Sequence, residues 1–233
     1  MKLFTAKKGD SQRDFNLPET YHDLTWGQAM ALIEIDQDDP DAMLKTVAAM
    51  TGIESDWWRD TTESNQFIQV AIECQQFMND WAKSFNDPSS MSMINPVLID
   101  GGLITLPDEI GQQSTGQYFD ALTYQSQWRK QQESEEGIRP LDTFQLYEKV
   151  FRIYAYPSAS NGPYNAAKAM SMNIDSVPFQ AVIGWAYFFL TSPDELKIGT
   201  KTNVQTRRTQ TRKGKQALSK LLRNLAFWQR STN

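Results

Sequence analysis

From Val177 to Leu190 the chain is apolar on nearly every side, and a helix without a polar face has to lie inside whatever it belongs to. Fourteen residues, broken by Pro178 and Gln180, fall short of the roughly 18–20 needed to span a bilayer. The run therefore reads as a buried central helix, closed by Ser192-Pro193. Such a helix needs neighbours that each offer one apolar stripe, and the sequence supplies them at spacings of three and four. The most regular runs from Thr62 to about Phe85, through Phe67, Val70, Ala71, Cys74, Phe77, Met78 and Trp81. A second, Ser114 to about Gln132, predicts Tyr118, Phe119, Leu122, Gln125 and Trp128 on its inner face. A third, Asp142 to Tyr156, carries Phe144, Tyr147, Val150, Phe151 and Tyr154, and a shorter helix to about Asp36 turns Trp26, Ala29, Leu32 and Ile33 inward. With seven Trp, twelve Phe and eight Tyr, each able to bury about 150–250 Å², core material is not limiting.

Element boundaries are written in local chemistry. Thr25 to Gln28 and Ser114 to Gln117 both fit capping boxes, in which a hydroxyl and an amide side chain satisfy each other's backbone N–H. Asp39-Pro40-Asp41 predicts another helix start, with Asp39 as N-cap and Pro40 in the first turn, and Gly52 ends that helix. Between Pro96 and Pro107, two β-branched runs flank Asp100-Gly101-Gly102, a hairpin turn. Pro157 to Pro163 reads as a loop, followed by a short helix from Tyr164 to Met172. The first residues, apolar at Leu3, Phe4 and Ala6 and polar afterwards, read as an extended arm that pairs with something or stays mobile, with order beginning near Thr25.

The expected architecture is mainly α with one β-hairpin. It comprises an N-terminal arm (1–20), a compact multi-helix core (21–196) with the hairpin at 96–107, a polar linker (197–211) and a basic amphipathic helix (212–233). No internal repeat is visible.

Charge is divided sharply along the chain. Residues 201–233 hold nine Lys or Arg and no Asp or Glu, which leaves 14 basic and 28 acidic side chains, a formal −14, on residues 1–200. Within that tail Leu218, Leu221, Leu225 and Trp228 share a helix face with Ala217 and Leu222, an anchor for a partner's groove or for the chain's own body. Arg207, Arg208, Arg212, Lys213 and Lys215 precede and flank it, a density suited to phosphate or to an acidic protein surface. The acidic remainder argues against a dedicated nucleic-acid binder, and pairing of body and tail between two copies is a further arrangement. Met1 to Lys8 lacks the apolar stretch of a secretory signal, so the sequence reads as intracellular.

One His and one Cys exclude a His/Cys zinc site and an intrachain disulfide. Cys74 sits on an apolar stripe without a basic neighbour and reads as an inert small hydrophobe. His22 beside Asp23 has the residue types of a general base, but the polar stretch around it gives no sign of a cleft. Asp36 to Asp41 begins like a calcium loop and then fails: Pro40 takes a liganding position, Asp41 replaces the sixth-position Gly, and Val47 stands where Glu is needed. Gly101-Gly102 lacks the helix start and Lys of a phosphate cradle. The adjacent pairs Asp108-Glu109 and Glu135-Glu136 read as solubilising charge, and no nucleophile elbow is present. The sequence thus assigns no catalytic residue, no metal ligand and no cofactor, and points to action through protein contacts. An enzyme working on nucleic acid or its precursors, the alternative from another class, would need carboxylates converging in a pocket.

Three stretches together resemble small bacteriophage proteins of the tail-assembly-chaperone and minor-virion type. They are Leu24 to Ile33 leading to Met50 to Glu54, then Leu103 to Pro107 with Ser114 to Ala121, then Val177 to Ala181 with Trp185 to Leu190. They cover less than a third of the chain and contain no catalytic or ligand residue to carry over. The resemblance implies an assembly factor or minor structural protein of the tail or head-tail region. Its partners would be other phage structural proteins, and its place the host cytoplasm during assembly or the virion. A permanent virion component lying near DNA through residues 207 to 215 is the runner-up.

Overall fold

A computed structural model describes residues 1–36, 38–60, 64–84, 94, 96–99, 101–105, 114–133, 140–160 and 162–191. At its centre lies the expected apolar helix, α8 (Phe179–Thr191), in which Phe179, Val182, Ile183, Trp185 and Ala186 are almost completely buried. Along it runs α6 (Pro140–Ser160), and α5 (Thr115–Glu133) and α7 (Ala166–Met170) pack on α6. On the other side α1 (Trp26–Ile33) leads to α2 (Ala42–Thr51), which carries α3 (Ser55–Arg59) and the long α4 (Ser64–Ser84). The Phe179 ring is the hub of this core. Trp26 stacks on it with centroids 5.8 Å apart, while Trp81 and Phe144 each stand 5.7 Å away at steeper angles. Toward the other end of α8, Phe189 stacks between Tyr154 and Trp185.

The starts of α1 and α8 are stitched together through the backbone. Trp26 N–H donates to the Val177 carbonyl at 2.7 Å, Phe179 N–H to that of Leu24 at 2.8 Å, and Gly27 N–H to that of Asp175 at 3.0 Å. A Cβ on Gly27 would stand 2.9 Å from the Asp175 Cβ, so the close approach requires glycine there. Thr25 caps α1 with the predicted box, and the Gln28 side chain also reaches the Met50 carbonyl at 2.9 Å, joining α1 to the end of α2.

The N-terminal arm pairs with itself as a second hairpin, so regular structure begins at Lys2, which corrects the expectation that order begins near Thr25. β1 (Lys2–Lys8) and β2 (Ser11–Leu17) pair antiparallel around Gly9, whose φ of 58° is the positive value a tight turn needs. Ala6, Phe15 and Leu17 face inward, and Phe15 meets Trp58 edge-on at 5.5 Å, with Phe67 6.0 Å beyond Trp58. The predicted hairpin is present as β3 (Val97–Ile99) and β4 (Gly102–Ile104), turning at Gly101. Among the described residues the mainly α fold therefore carries two small hairpins.

Three further differences have local causes. Helix α2 begins at Ala42, with Asp41 rather than Asp39 at its N-cap position, because the Asp39 carboxylate accepts the Asp41 N–H at 2.8 Å and holds the preceding turn. Helix α6 continues through Pro157 to Ser160. Proline cannot donate to the Ile153 carbonyl four residues back, and the Gln117 side-chain amide donates to it instead, at 3.2 Å. Finally, α5 is rotated relative to the expected inner face: Gln117 and Trp128 are buried, while Phe119 is 61% exposed. Among the described residues no helix is long and apolar enough to cross a membrane.

Candidate interaction surface

The tail residues singled out by sequence, Leu218, Leu221, Leu225 and Trp228 with Arg207, Arg208, Arg212, Lys213 and Lys215, lie outside the described residues. So do Asp108, Glu109, Glu135 and Glu136. What the structure places is the body that such a tail or a partner would meet.

Its most charged part is a shoulder formed by the α1–α2 turn and α3, where residues 34 to 60 carry eight Asp or Glu against Lys45 and Arg59. These carboxylates have local work. Asp36 accepts the Asp38 N–H at 3.0 Å, Asp39 pairs with Lys45, and Asp41 pairs with Arg59 at 2.6 Å. The hydrogen bond that the Lys45 ammonium donates to Asp39, with the surrounding acidic charge, holds that ammonium above its ordinary range. Glu54 is held below the usual carboxylate range by its own backbone N–H and by Arg13, 2.7 Å away. The segment read against a calcium loop is thus a turn followed by a helix start. Among the described residues no group of three His, Cys, Asp or Glu is placed to hold a metal ion.

Cys74 is buried in α4, and burial, followed by the charge of Glu73, pushes its thiol up to about 12. The thiol stays protonated at neutral pH and is a poor nucleophile. His22 joins the short 3-10 turn Tyr21–Asp23 to α8, its Nδ1 in hydrogen-bond contact with Oε1 of the buried Gln180. Asp23, its sequence neighbour, accepts instead from the backbone N–H groups of Thr20 and Glu19. On the other side of the molecule the Tyr164 hydroxyl donates to Asp120 at 2.5 Å, and burial together with that carboxylate pushes the phenol well up. The bond fastens the segment before α7 onto α5, and a phenol held protonated in this way is a clamp, not a base.

Several apolar side chains reach solvent, Met1 and Leu3 at the first strand among them. Leu98 and Leu103 face each other across β3 and β4 and are 56% and 70% exposed, while Val97, Ile99 and Ile104 point into the core. On α4, Ile68 and Ile72 stand one turn apart on the outer side. On α5, Phe119 is flanked by the half-exposed Tyr118 and Leu122. Sequence reasoning missed the leucine pair, although alternation with a period of two in Val97-Leu98-Ile99 is the signal that carries it. It also placed Phe119 inward, since an aromatic at helical spacing normally marks the core side.

No protein-family model, curated protein or solved structure matches this chain.

Proposed function

We propose that the protein is a non-enzymatic component of bacteriophage morphogenesis, an assembly factor or minor structural protein of the tail or head-tail region. It acts by binding other structural proteins. The observation that carries the binding role is the exposed cross-strand pair Leu98–Leu103, an apolar contact point on a body of formal charge −14. The phage setting is supported by the resemblance of the three stretches described above. The basic Leu/Trp tail supplies the second contact, with Leu221, Leu225 and Trp228 as its anchors.

Quantitative mass spectrometry of purified, DNA-filled particles and of infected-cell lysate tests this. A fixed copy number in particles assigns a structural part, and presence only in lysate, bound to tail or head-tail proteins, assigns a transient assembly factor. Absence from both settings overturns the proposal.

The nine Lys and Arg of residues 201–233 favour a second reading, in which the tail lies against DNA inside the particle. Here a gel shift that weakens steeply with salt, and disappears on deletion of residues 201–233, is the expected result. A shift unaffected by the deletion counts against it.

A further inference from the structure

Helix α5 is thinly buried. Its inward side rests on Gln117 and Trp128, with Ala121 and Tyr124 partly covered, and its outer side carries Tyr118, Phe119 and Leu122. The Tyr118 and Phe119 rings lie 5.7 Å apart. At 3.6 residues per turn, Tyr118, Leu122, Gln125 and Arg129 fall within about 60° on one flank of the helix, with Phe119 beside them. That flank is where α8 ends, because the Gln125 side-chain amide donates to the Leu190 carbonyl at 3.3 Å. Tyr118 lies two turns from Gln125, about 10 Å along the axis at 1.5 Å per residue.

From Thr191 the sequence continues for 42 residues, and the tail helix expected from the sequence follows 20 of them, residues 192–211. A random coil of that length would have a root-mean-square span of about 22–27 Å. The apolar face of α5 is therefore well within reach, at an effective concentration on the order of millimolar for a tethered pair. Lengths are comparable: the expected helix over residues 212–233 would be about 33 Å long and α5 is about 28 Å.

We infer that the C-terminal stripe Leu218, Leu221, Leu225 and Trp228 docks on the outer face of α5 formed by Tyr118, Phe119 and Leu122 of the same chain. The inference rests on the tail being a protein-binding helix and makes α5 its resting place. A partner then gains the tail by displacing it from α5.

Hydrogen exchange read by mass spectrometry on the full chain tests this. Peptides covering residues 217–228 are protected in the parent protein and exchange at least tenfold faster in Phe119→Glu. Peptides from α8 are unchanged in that variant, since the Phe119 side chain points away from the core. Leu225→Asp produces the same loss of protection from the other side of the contact. Sedimentation at low and high concentration accompanies the exchange, and a protected tail in a monomer is the expected result. An unprotected tail in the parent protein, or one equally protected in Phe119→Glu, overturns the inference. Protection that appears only as the chain dimerises overturns it too, and gives the site to a second copy's tail. None of these results alters the copy number found in particles or lysate, so the two proposals fail separately.

Discussion

The β1–β2 hairpin and the α5–α7 layer are fastened to the core by different kinds of bond. The hairpin is held at its rim by ion pairs, Lys2 to Glu73 at 2.5 Å, Lys8 to Asp60 at 3.2 Å and Arg13 to Glu54 at 2.7 Å, all solvent-accessible. Pairs of that kind contribute about 0–1 kcal/mol each and weaken as salt is added. The α5–α7 layer is fastened by side-chain N–H groups on helix carbonyls: Gln117 to Ile153, Gln125 to Leu190, and Arg152 to Met170 at 2.8 Å. Such bonds are directional and depend on ionic strength far less. The rim of the hairpin is therefore set to loosen with conditions, above the buried Ala6, Phe15 and Leu17, while the α5–α7 layer stays with the core.

The largest expected effect abolishes the contrast. Phe179→Ala empties the ring cluster at the centre of the core and costs about 3–5 kcal/mol, read as a lowered urea midpoint with both regions unfolding together. If the hairpin survived that substitution, it would be a separately stable unit. Gln117→Leu comes next. It leaves the Ile153 carbonyl without its donor and costs about 1–3 kcal/mol, together with part of the cap at Ser114. Adding Pro157→Ala restores a backbone N–H that can serve the same carbonyl, so the double variant recovers stability. Equal losses with and without proline would break the explanation of how α6 passes Pro157.

Acid separates the two regions by a smaller amount. Burial works to raise the Asp23 carboxyl, but the N–H groups of Thr20 and Glu19 and the N-terminal ammonium outweigh it, and the group is held below its ordinary value. Glu54 is lowered by its own N–H and by Arg13. For groups depressed in this way the stabilisation is present above the unfolded-state values of about 4 and is lost as pH falls through the folded-state values. Exchange of β1–β2 amides, corrected for intrinsic rate, should accelerate as pH falls below about 4 or in about 1 M salt, with α8 unchanged. Parallel changes in both would remove the distinction. The smallest signal is chemical: Cys74 should not react with a thiol reagent at pH 8 until the protein is denatured, and early labelling would show that α4 opens on its own.

Where one pattern dominates locally, the sequence was sufficient. The all-round apolar character of 177–190 placed α8 at the centre, the Thr25 and Ser114 boxes located two helix starts, and Gly52 and Gly101 marked a helix end and a turn. It was insufficient where a distant residue decides. Nothing near Pro157 announces that Gln117, forty positions earlier, will serve the orphaned carbonyl. Asp39 and Asp41 both suit an N-cap, and the choice between them follows from which N–H the Asp39 carboxylate finds. The β1–β2 strands interleave charged and polar residues with few apolar ones, and their place on the core depends on Trp58 receiving Phe15. On the candidate surface, Leu98 and Leu103 were legible as members of a hairpin, while their outward direction follows from which hairpin face meets the core.

The backbone stitch joining Leu24 and Trp26 to Val177 and Phe179 has a temporal side. Synthesis at about 5–20 residues per second separates the making of Trp26 from that of Phe179 by roughly 8–30 s. The pocket lined by Trp26, Trp81 and Phe144 is complete only once Phe144 is made, and for the last 35 residues of that interval, about 2–7 s, it has no ring to close it. The nascent chain therefore carries an open aromatic slot until its last described helix emerges, and a chain cut short before α8 lacks the piece around which the earlier helices assemble.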